Sequence, residues 1–198
     1  TLVNQISAAG KSKPYDCLIG VSGGVDSTYV AYLVKKLGLR PLAVHFDNGW
    51  NSELAVSNIE KVLSKLNIDL VTYVVDWNEF KDLQLAFLKA SVPDGEIPTD
   101  HAITALLWRT ALENNIKYIV SGMNFATESI SVPSWSYGHA DWRYIKNIHS
   151  IFGTRKLRTY PHYGFLFLFY ITFVKRIKSV SILNYVDYNK SDVMKILE

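Results

Sequence analysis

The segment Ser22-Gly23-Gly24-Val25-Asp26-Ser27 interrupts an apolar run with two glycines and three polar side chains. These residue types at this spacing can hold an anion. Gly23 and Gly24 let the backbone bend sharply and approach a ligand without a Cβ in the way. The free N–H groups of a following helical turn point at the same spot, and Ser22 and Ser27 add hydroxyl donors. Asp26 narrows the chemistry, because a carboxylate beside a phosphate cradle is repulsive unless a divalent cation lies between them, which points to Mg²⁺ on the phosphates of a nucleotide. Its alternative role is a favourable charge at a helix N-terminus. The run is neither a Gly-Lys-Ser/Thr phosphate loop nor the G-x-G-x-x-G dinucleotide fingerprint.

Such a loop needs a buried strand before it and a helix after it, and the chain supplies both. From Asp16, apolar runs of strand length alternate with longer amphipathic segments, the pattern of βαβ units and a parallel sheet. Strands are predicted at 16–21, 41–46, 69–75 and 117–122. The helices between them run from Thr28 to Leu37, from a capping Asn51 or Ser52 to Asn67, from Asn78 to Ala90, and from His101 to Asn114 after the proline-bearing stretch 91–100. The fold class is therefore α/β, a doubly wound parallel sheet with helices on both faces, in which ligands bind beyond the carboxyl ends of the strands. After Gly122 the periodicity weakens into aromatic and glycine-containing loops, with helices predicted at 146–151 and 165–177 and a final helix capped by Ser191. This divides the chain into an α/β part, 1–130, and a helical, aromatic-rich part, 131–198. The lack of an initiator Met and of a terminating signal after the last helix reads as a fragment cut at both ends.

Several further residues carry two readings each. Thr99 and Asp100 precede a helix, where either serves as an N-cap, while in a functional reading Asp100 is catalytic and faces the nucleotide or a second metal position. Thr127 and Glu128 hold a sugar or a metal, or simply start a helix. Trp135, Tyr137, Asp141, Trp142 and Arg143 combine aromatic platforms with polar ends as sugar sites do, with Arg143 suited to a phosphate or carboxylate; their other reading is a packed aromatic core. The histidines have no metal-ligand spacing.

Composition sets outer limits. With 198 residues, 48% of them hydrophobic and 20% charged, the chain has material for one core. Its single cysteine, Cys17, lies inside the first predicted strand, so there is no disulfide framework, no cysteine cluster for zinc, and no nucleophile of the kind a self-sufficient glutaminase needs. The longest apolar run, 164–174, is too short to span a bilayer. A soluble, cytoplasmic protein is expected. The net charge of +3 is too small to imply nucleic acid, yet no acidic residue lies between Asp141 and Asp187, where Arg143, Lys146, Arg155, Lys156, Arg158, Lys175, Arg176 and Lys178 gather. Such a segment meets an anionic ligand, an acidic partner or a membrane surface, or is a solvated face.

The SGGVDS run after a buried strand resembles the PP-loop of the ATP pyrophosphatases, the group that includes GMP, NAD and asparagine synthetases and the tRNA thiolation enzymes. The resemblance implies a Rossmann-like domain that cleaves ATP between its α and β phosphates, with Ser22, Gly23, Gly24, Asp26 and Ser27 around pyrophosphate and Mg²⁺. AVHFDNG (43–49) is similar to the group's adenosine-contacting segment, which places the Val44 and Phe46 backbones near adenine and Asp47 near the ribose; SGMN (121–124) resembles its later nucleotide loop and brings Gly122 and Asn124. EIPTDHAI (96–103), GMNFATES (122–129), WSYGHADWRYIKNIH (135–149) and the C-terminal LNYVDYNKSDVMKILE look like the N-acetyl sugar amidotransferases of bacterial surface-polysaccharide biosynthesis, lipopolysaccharide O-antigen included. That resemblance implies adenylation of the acetamido oxygen of a nucleotide-linked or related N-acetyl sugar and its conversion by ammonia to an acetamidine. A separate glutaminase subunit would supply the ammonia, and the apolar run 165–173 suits a homodimer. Family members carry a cysteine-containing segment before the first strand and continue past the final helix, so the ends of the sugar site are expected to be missing. The alternatives are another PP-loop ligase, such as a tRNA-modifying or thiolation enzyme, and a nucleotide-binding fragment without catalysis.

Overall fold

Strands that are apolar along their whole length must be covered on both faces, and parallel pairing with helical crossovers achieves this. The computed structural model describes residues 1–123, 138–189, 191, 193 and 194. Its five strands are all parallel, in the order β3-β2-β1-β4-β5: β1 (Cys17–Gly20), β2 (Pro41–Asp47), β3 (Asp69–Val74), β4 (Tyr118–Ser121) and β5 (Lys178–Ser181). β1 is central, with Leu18 beside Leu42 of β2 and Ile119 of β4.

Side-chain alternation then assigns the layers. Leu18, Leu42, Val44, Phe46 and Ile119 pack beneath α4 (Trp77–Lys89), α5 (Ile97–Glu113) and α6 (Trp142–Phe152). Cys17, Ile19, Ala43, Tyr118 and Val120 face α1 (Leu2–Gly10), α2 (Val25–Lys36) and α3 (Glu53–Leu66). This is the doubly wound α/β fold that the sequence predicts. The chain order turns back between β1 and β4, so a crevice opens at the carboxyl edge there.

Helix ends follow local chemistry. Ser52 caps α3, accepting the Ala55 N–H at 3.1 Å, and Asn67 closes that helix in a left-handed conformation at φ 50°. α5 starts four residues before the predicted His101, at Ile97, because Pro98 fits the first turn, where no N–H is required. Thr99 and Asp100 therefore lie inside the helix and neither is its N-cap, a place Glu96 takes without a side-chain bond. The predicted helix at 146–151 extends to the whole of α6, and that at 165–177 becomes α7 (Phe165–Phe169) followed by a π-helical stretch, Tyr170–Lys175. Ile171 of this run is buried, while Phe165, Leu166, Phe169 and Phe173 are exposed. Residues 192 and 195–198 of the predicted final helix lie outside the described residues. α1 and β5 have no counterpart in the sequence reading.

Polar groups tie the C-terminal part to this frame. On α4, Asp82 accepts from the Thr154 and Arg155 amides (2.8 and 2.9 Å), the Thr154 hydroxyl (2.7 Å) and His149 Nε2 (3.0 Å). One turn earlier, Glu79 Oε2 accepts from the amides of Arg158, Thr159 and Tyr160 at 2.8, 2.8 and 3.3 Å. Burial by itself would raise the Asp82 carboxyl, but these donors outweigh it and hold it well below the usual carboxylate range. His101 is fully buried, its ring stacked 4.2 Å from that of Tyr163. It accepts the Tyr163 N–H on Nε2 at 3.2 Å, so its Nδ1–H donates to the His139 carbonyl at 2.6 Å.

Burial pulls the His101 imidazole from 6.5 down to about 4; the His139 carbonyl opposes that, the nearby His162 and His139 charges add to it, and Asp141 opposes it. The folded state thus prefers neutral His101, a preference fully present above pH 6.5 and lost as pH falls toward 4. Unfolding free energy measured by denaturant titration is expected to drop by roughly 2–3 kcal/mol across that window. His101→Phe should flatten the drop; an equally steep profile in the variant would assign the pH dependence elsewhere.

Candidate nucleotide site

β1 delivers the SGGVDS loop to the carboxyl edge of the sheet. Val21 N–H still pairs with the Val44 carbonyl at 2.9 Å, after which the chain turns into α2. Gly23 sits at φ +77°, and a Cβ there would stand 2.6 Å from the Ala55 carbonyl oxygen in the first turn of α3. Only glycine satisfies both conditions. The two serines fix the loop internally: Ser27 Oγ donates to the Gly24 carbonyl at 3.1 Å and accepts the Ser22 N–H at 3.2 Å, with Ser22 Oγ 3.2 Å away. Gly24, the N-cap of α2, offers no side chain to the first amides of the helix. Thr1, Ser52, Asp76 and Asp141 each do so for their own helices. The N-terminus of α2 is thus an exposed set of donors at the positive end of a helix dipole, which suits a phosphate.

Asp26 lies in the first turn of α2. Gly122, just after β4, packs against it so closely that a Cβ would lie 3.4 Å from the Asp26 carbonyl carbon and oxygen. The Tyr188 hydroxyl donates to Asp26 Oδ1, and the Tyr188 ring lies 5.9 Å from that of Tyr29. The structure therefore brings together Ser22, Gly23, Gly24, Asp26, Ser27 and Gly122. Among the described residues no cluster of three or more His, Cys, Asp or Glu could hold a metal. A single carboxylate beside free amides fits Mg²⁺, which keeps waters and binds through one or two carboxylates plus substrate phosphates.

At the end of β2, Asp47 Oδ1 accepts from the Gly49 amide and from Asn51 Nδ2, each at 3.0 Å. Since Asn51 Nδ2 also lies 3.2 Å from His45 Nε2, that nitrogen accepts and the His45 Nδ1–H donates to the Val21 carbonyl at 2.8 Å. This partly buried chain couples the β2 end to the SGGVDS loop. The Val44 carbonyl is taken by Val21, and the Phe46 side chain is in the core, edge-on to Phe80 at 5.9 Å.

The remaining predicted positions separate from this centre. Asp100 sits on α5, across the sheet from α2; desolvation raises its carboxyl, with His139 opposing and Asp94 and Glu96 adding. Asp141 caps α6 through the Arg143 and Tyr144 amides at 2.8 and 3.2 Å, and Arg143 is exposed. Asn124, Thr127, Glu128, Trp135 and Tyr137 lie outside the described residues. Cys17 is fully buried, and burial pushes its thiol up to about 12, so it is no nucleophile.

Sequence reasoning gave no site role to His45 or Tyr188, and read Asn51 only as a helix cap. His45 left a signal, a polar side chain in the middle of an apolar strand. Tyr188 left none, because it meets Asp26 across 162 positions of chain. Gly23→Ala is expected to add about 1–3 kcal/mol of strain and to weaken Mg²⁺-dependent ATP binding about tenfold, measured by titration calorimetry. Unchanged affinity would mean that Ala55 does not set the loop's shape. Tyr188→Phe, which frees the carboxylate, should tighten that binding, and weaker binding would show that the hydroxyl supports the site.

Comparison with known proteins places these features. A tRNA(Ile)-lysidine synthase from Chlamydia pneumoniae is 34% identical over 70 residues, a match covering 34% of this chain and 22% of that protein. The chain thus aligns with only about a fifth of that relative. Among solved structures, a protein described as a predicted subunit of tRNA methyltransferase from Methanocaldococcus jannaschii superposes with a TM-score of 0.50 at 17% identity, over 91% of this chain and 74% of that one. An NH3-dependent NAD synthetase from Campylobacter jejuni, in complex with nitrate, gives 0.50 at 15% identity over 76% and 69%. These two share the fold. A protein-family model described as "Queuosine biosynthesis protein QueC" matches residues 16–126, more than half of the chain and all of the loop, β2 and β4 architecture above, so the chain belongs to that family, within the PP-loop ATP pyrophosphatase superfamily.

Proposed function

We propose that the protein is an ATP-dependent, AMP-forming ligase that converts the acetamido group of an N-acetyl sugar into an acetamidine. The observation that carries the ATP half is the glycine loop feeding the uncapped N-terminus of α2, with Asp26 in its first turn, at the point where the strand order turns back. Bound Mg²⁺ would neutralise phosphate charge beside Asp26. In the proposed reaction the amide oxygen attacks the α-phosphorus and the bond to the bridging oxygen breaks, releasing pyrophosphate. Ammonia then adds to the activated carbon, a proton leaves its nitrogen, and AMP departs with the C–O electron pair. The SGGVDS loop and the α2 amides hold the pyrophosphate, and Ser22 and Ser27 fix the loop before the ligand arrives.

This chemistry needs no protein nucleophile, in keeping with Cys17 buried inside β1. Ammonia would come from solution or from a separate glutaminase subunit. The sugar acceptor and a role in surface-glycan biosynthesis are supported by the motifs EIPTDHAI and WSYGHADWRYIKNIH. A second reading, in which the acceptor is a precursor in queuosine biosynthesis or another tRNA-modification substrate, is favoured by the family match over 16–126.

The deciding experiment incubates the protein with ATP, Mg²⁺ and ammonium, with either a nucleotide-linked N-acetyl sugar or unmodified tRNA. AMP and pyrophosphate formed only with the sugar are the expected result. Formation of ADP would contradict the ATP chemistry, and turnover only with tRNA would replace the acceptor.

A further inference from the structure

The segment after α6 is basic, yet the acids that hold it take its backbone amides and two threonine hydroxyls and leave its cationic side chains alone. Glu79 and Asp82 bind the backbone of residues 154–160, and Arg155, Lys156 and Arg158 project from that fixed backbone, all three exposed. Among the described residues the only ion pairs are Arg40–Asp16 and His149–Asp82, so none of the three has a carboxylate partner there. Together with Asp76, Glu79 and Thr159 they line an open cleft of about 410 Å³. Of the two acids in its lining, Asp76 is occupied with the Asn78 and Glu79 amides at the start of α4, and Glu79 with the backbone just described. The cleft therefore presents three cations against two carboxylates, none of the three in a direct ion pair among the described residues.

Its position relates it to the nucleotide site. The Tyr73 hydroxyl donates to the Thr159 carbonyl, and Asp76 N–H donates to Thr159 Oγ1 at 3.1 Å, which seats the segment at the carboxyl end of β3. That is the same carboxyl edge of the sheet at which β1, two strands away, delivers the SGGVDS loop.

We propose that this cleft binds the phosphate groups of a nucleoside diphosphate moiety on the acceptor substrate, an inference that rests on the ligase reading above. Two guanidinium groups and an ammonium suit adjacent phosphates in charge and donor number. A polynucleotide fits less well, since it needs an extended basic track and this cleft is short.

The test is a pair of calorimetric titrations on the whole chain. α,β-Methylene-ATP with Mg²⁺ is titrated first, which reads and fills the SGGVDS site; UDP is then titrated into the saturated protein. Wild type is expected to bind UDP, and Arg155→Gln/Arg158→Gln to bind it at least about tenfold more weakly with unchanged affinity for the ATP analogue. Equal UDP affinity in the double variant, no UDP binding by wild type, or displacement of UDP by a single-stranded RNA 20-mer at lower concentration would each overturn the proposal. Failure of wild type to bind the analogue contradicts the ATP reading alone, and UDP titrated into the free protein still reads the cleft. Because the basic side chains are exposed, wild-type unfolding behaviour of Arg155→Gln/Arg158→Gln itself, together with its unchanged affinity for the ATP analogue, separates charge loss from misfolding.

Discussion

Burial of β1 on both faces is the constraint on which the rest of the molecule depends. Cys17, Leu18 and Ile19 are sealed between two helical layers, so no polar chemistry can leave the sheet from either face. It is confined to the carboxyl edge, where the chain must turn from strand to helix and backbone amides are necessarily left over. The loop uses what that edge provides. A glycine pressed against Ala55 forces the turn, two serines brace it, and a helix without a side-chain cap directs its first amides outward.

The same economy explains the C-terminal part. A basic segment cannot pack itself, because its charges repel and none of its own residues is acidic. Glu79 and Asp82, one turn apart on α4, supply fixed negative charge and take up its backbone donors. His101, stacked among Tyr163, Trp142 and Tyr160, joins α5 to the same region through two ring-nitrogen hydrogen bonds. Satisfied buried polar groups thus fix a surface whose exposed groups remain available.

Much of the α/β frame was legible because its signals are local. Apolar runs bounded by Gly38, Asn67 and Gly122 mark the first four strands, Ser52 marks the start of α3, and two glycines before Asp26 mark the phosphate loop. What escaped detection depends on long-range contact. β5 is a four-residue edge strand of mixed polarity, Lys178–Ser181, that forms only because β4 offers a free edge. Pro98, placed by the sequence in the stretch before the helix, lies in its first turn. One oxygen of Asp141 caps α6, a role the sequence reading did not assign. His45 and Tyr188 matter through partners that no spacing rule connects to them.

The central claim is that the loop after β1 is a phosphate cradle completed by a cation at Asp26. Titration of ATP with and without Mg²⁺, on the chain and on Asp26→Ala, tests it most directly. The account predicts saturable binding that requires Mg²⁺ and is lost in the variant. Binding of equal strength without Mg²⁺, or undiminished in Asp26→Ala, would contradict it and leave Asp26 as a helix-terminal charge.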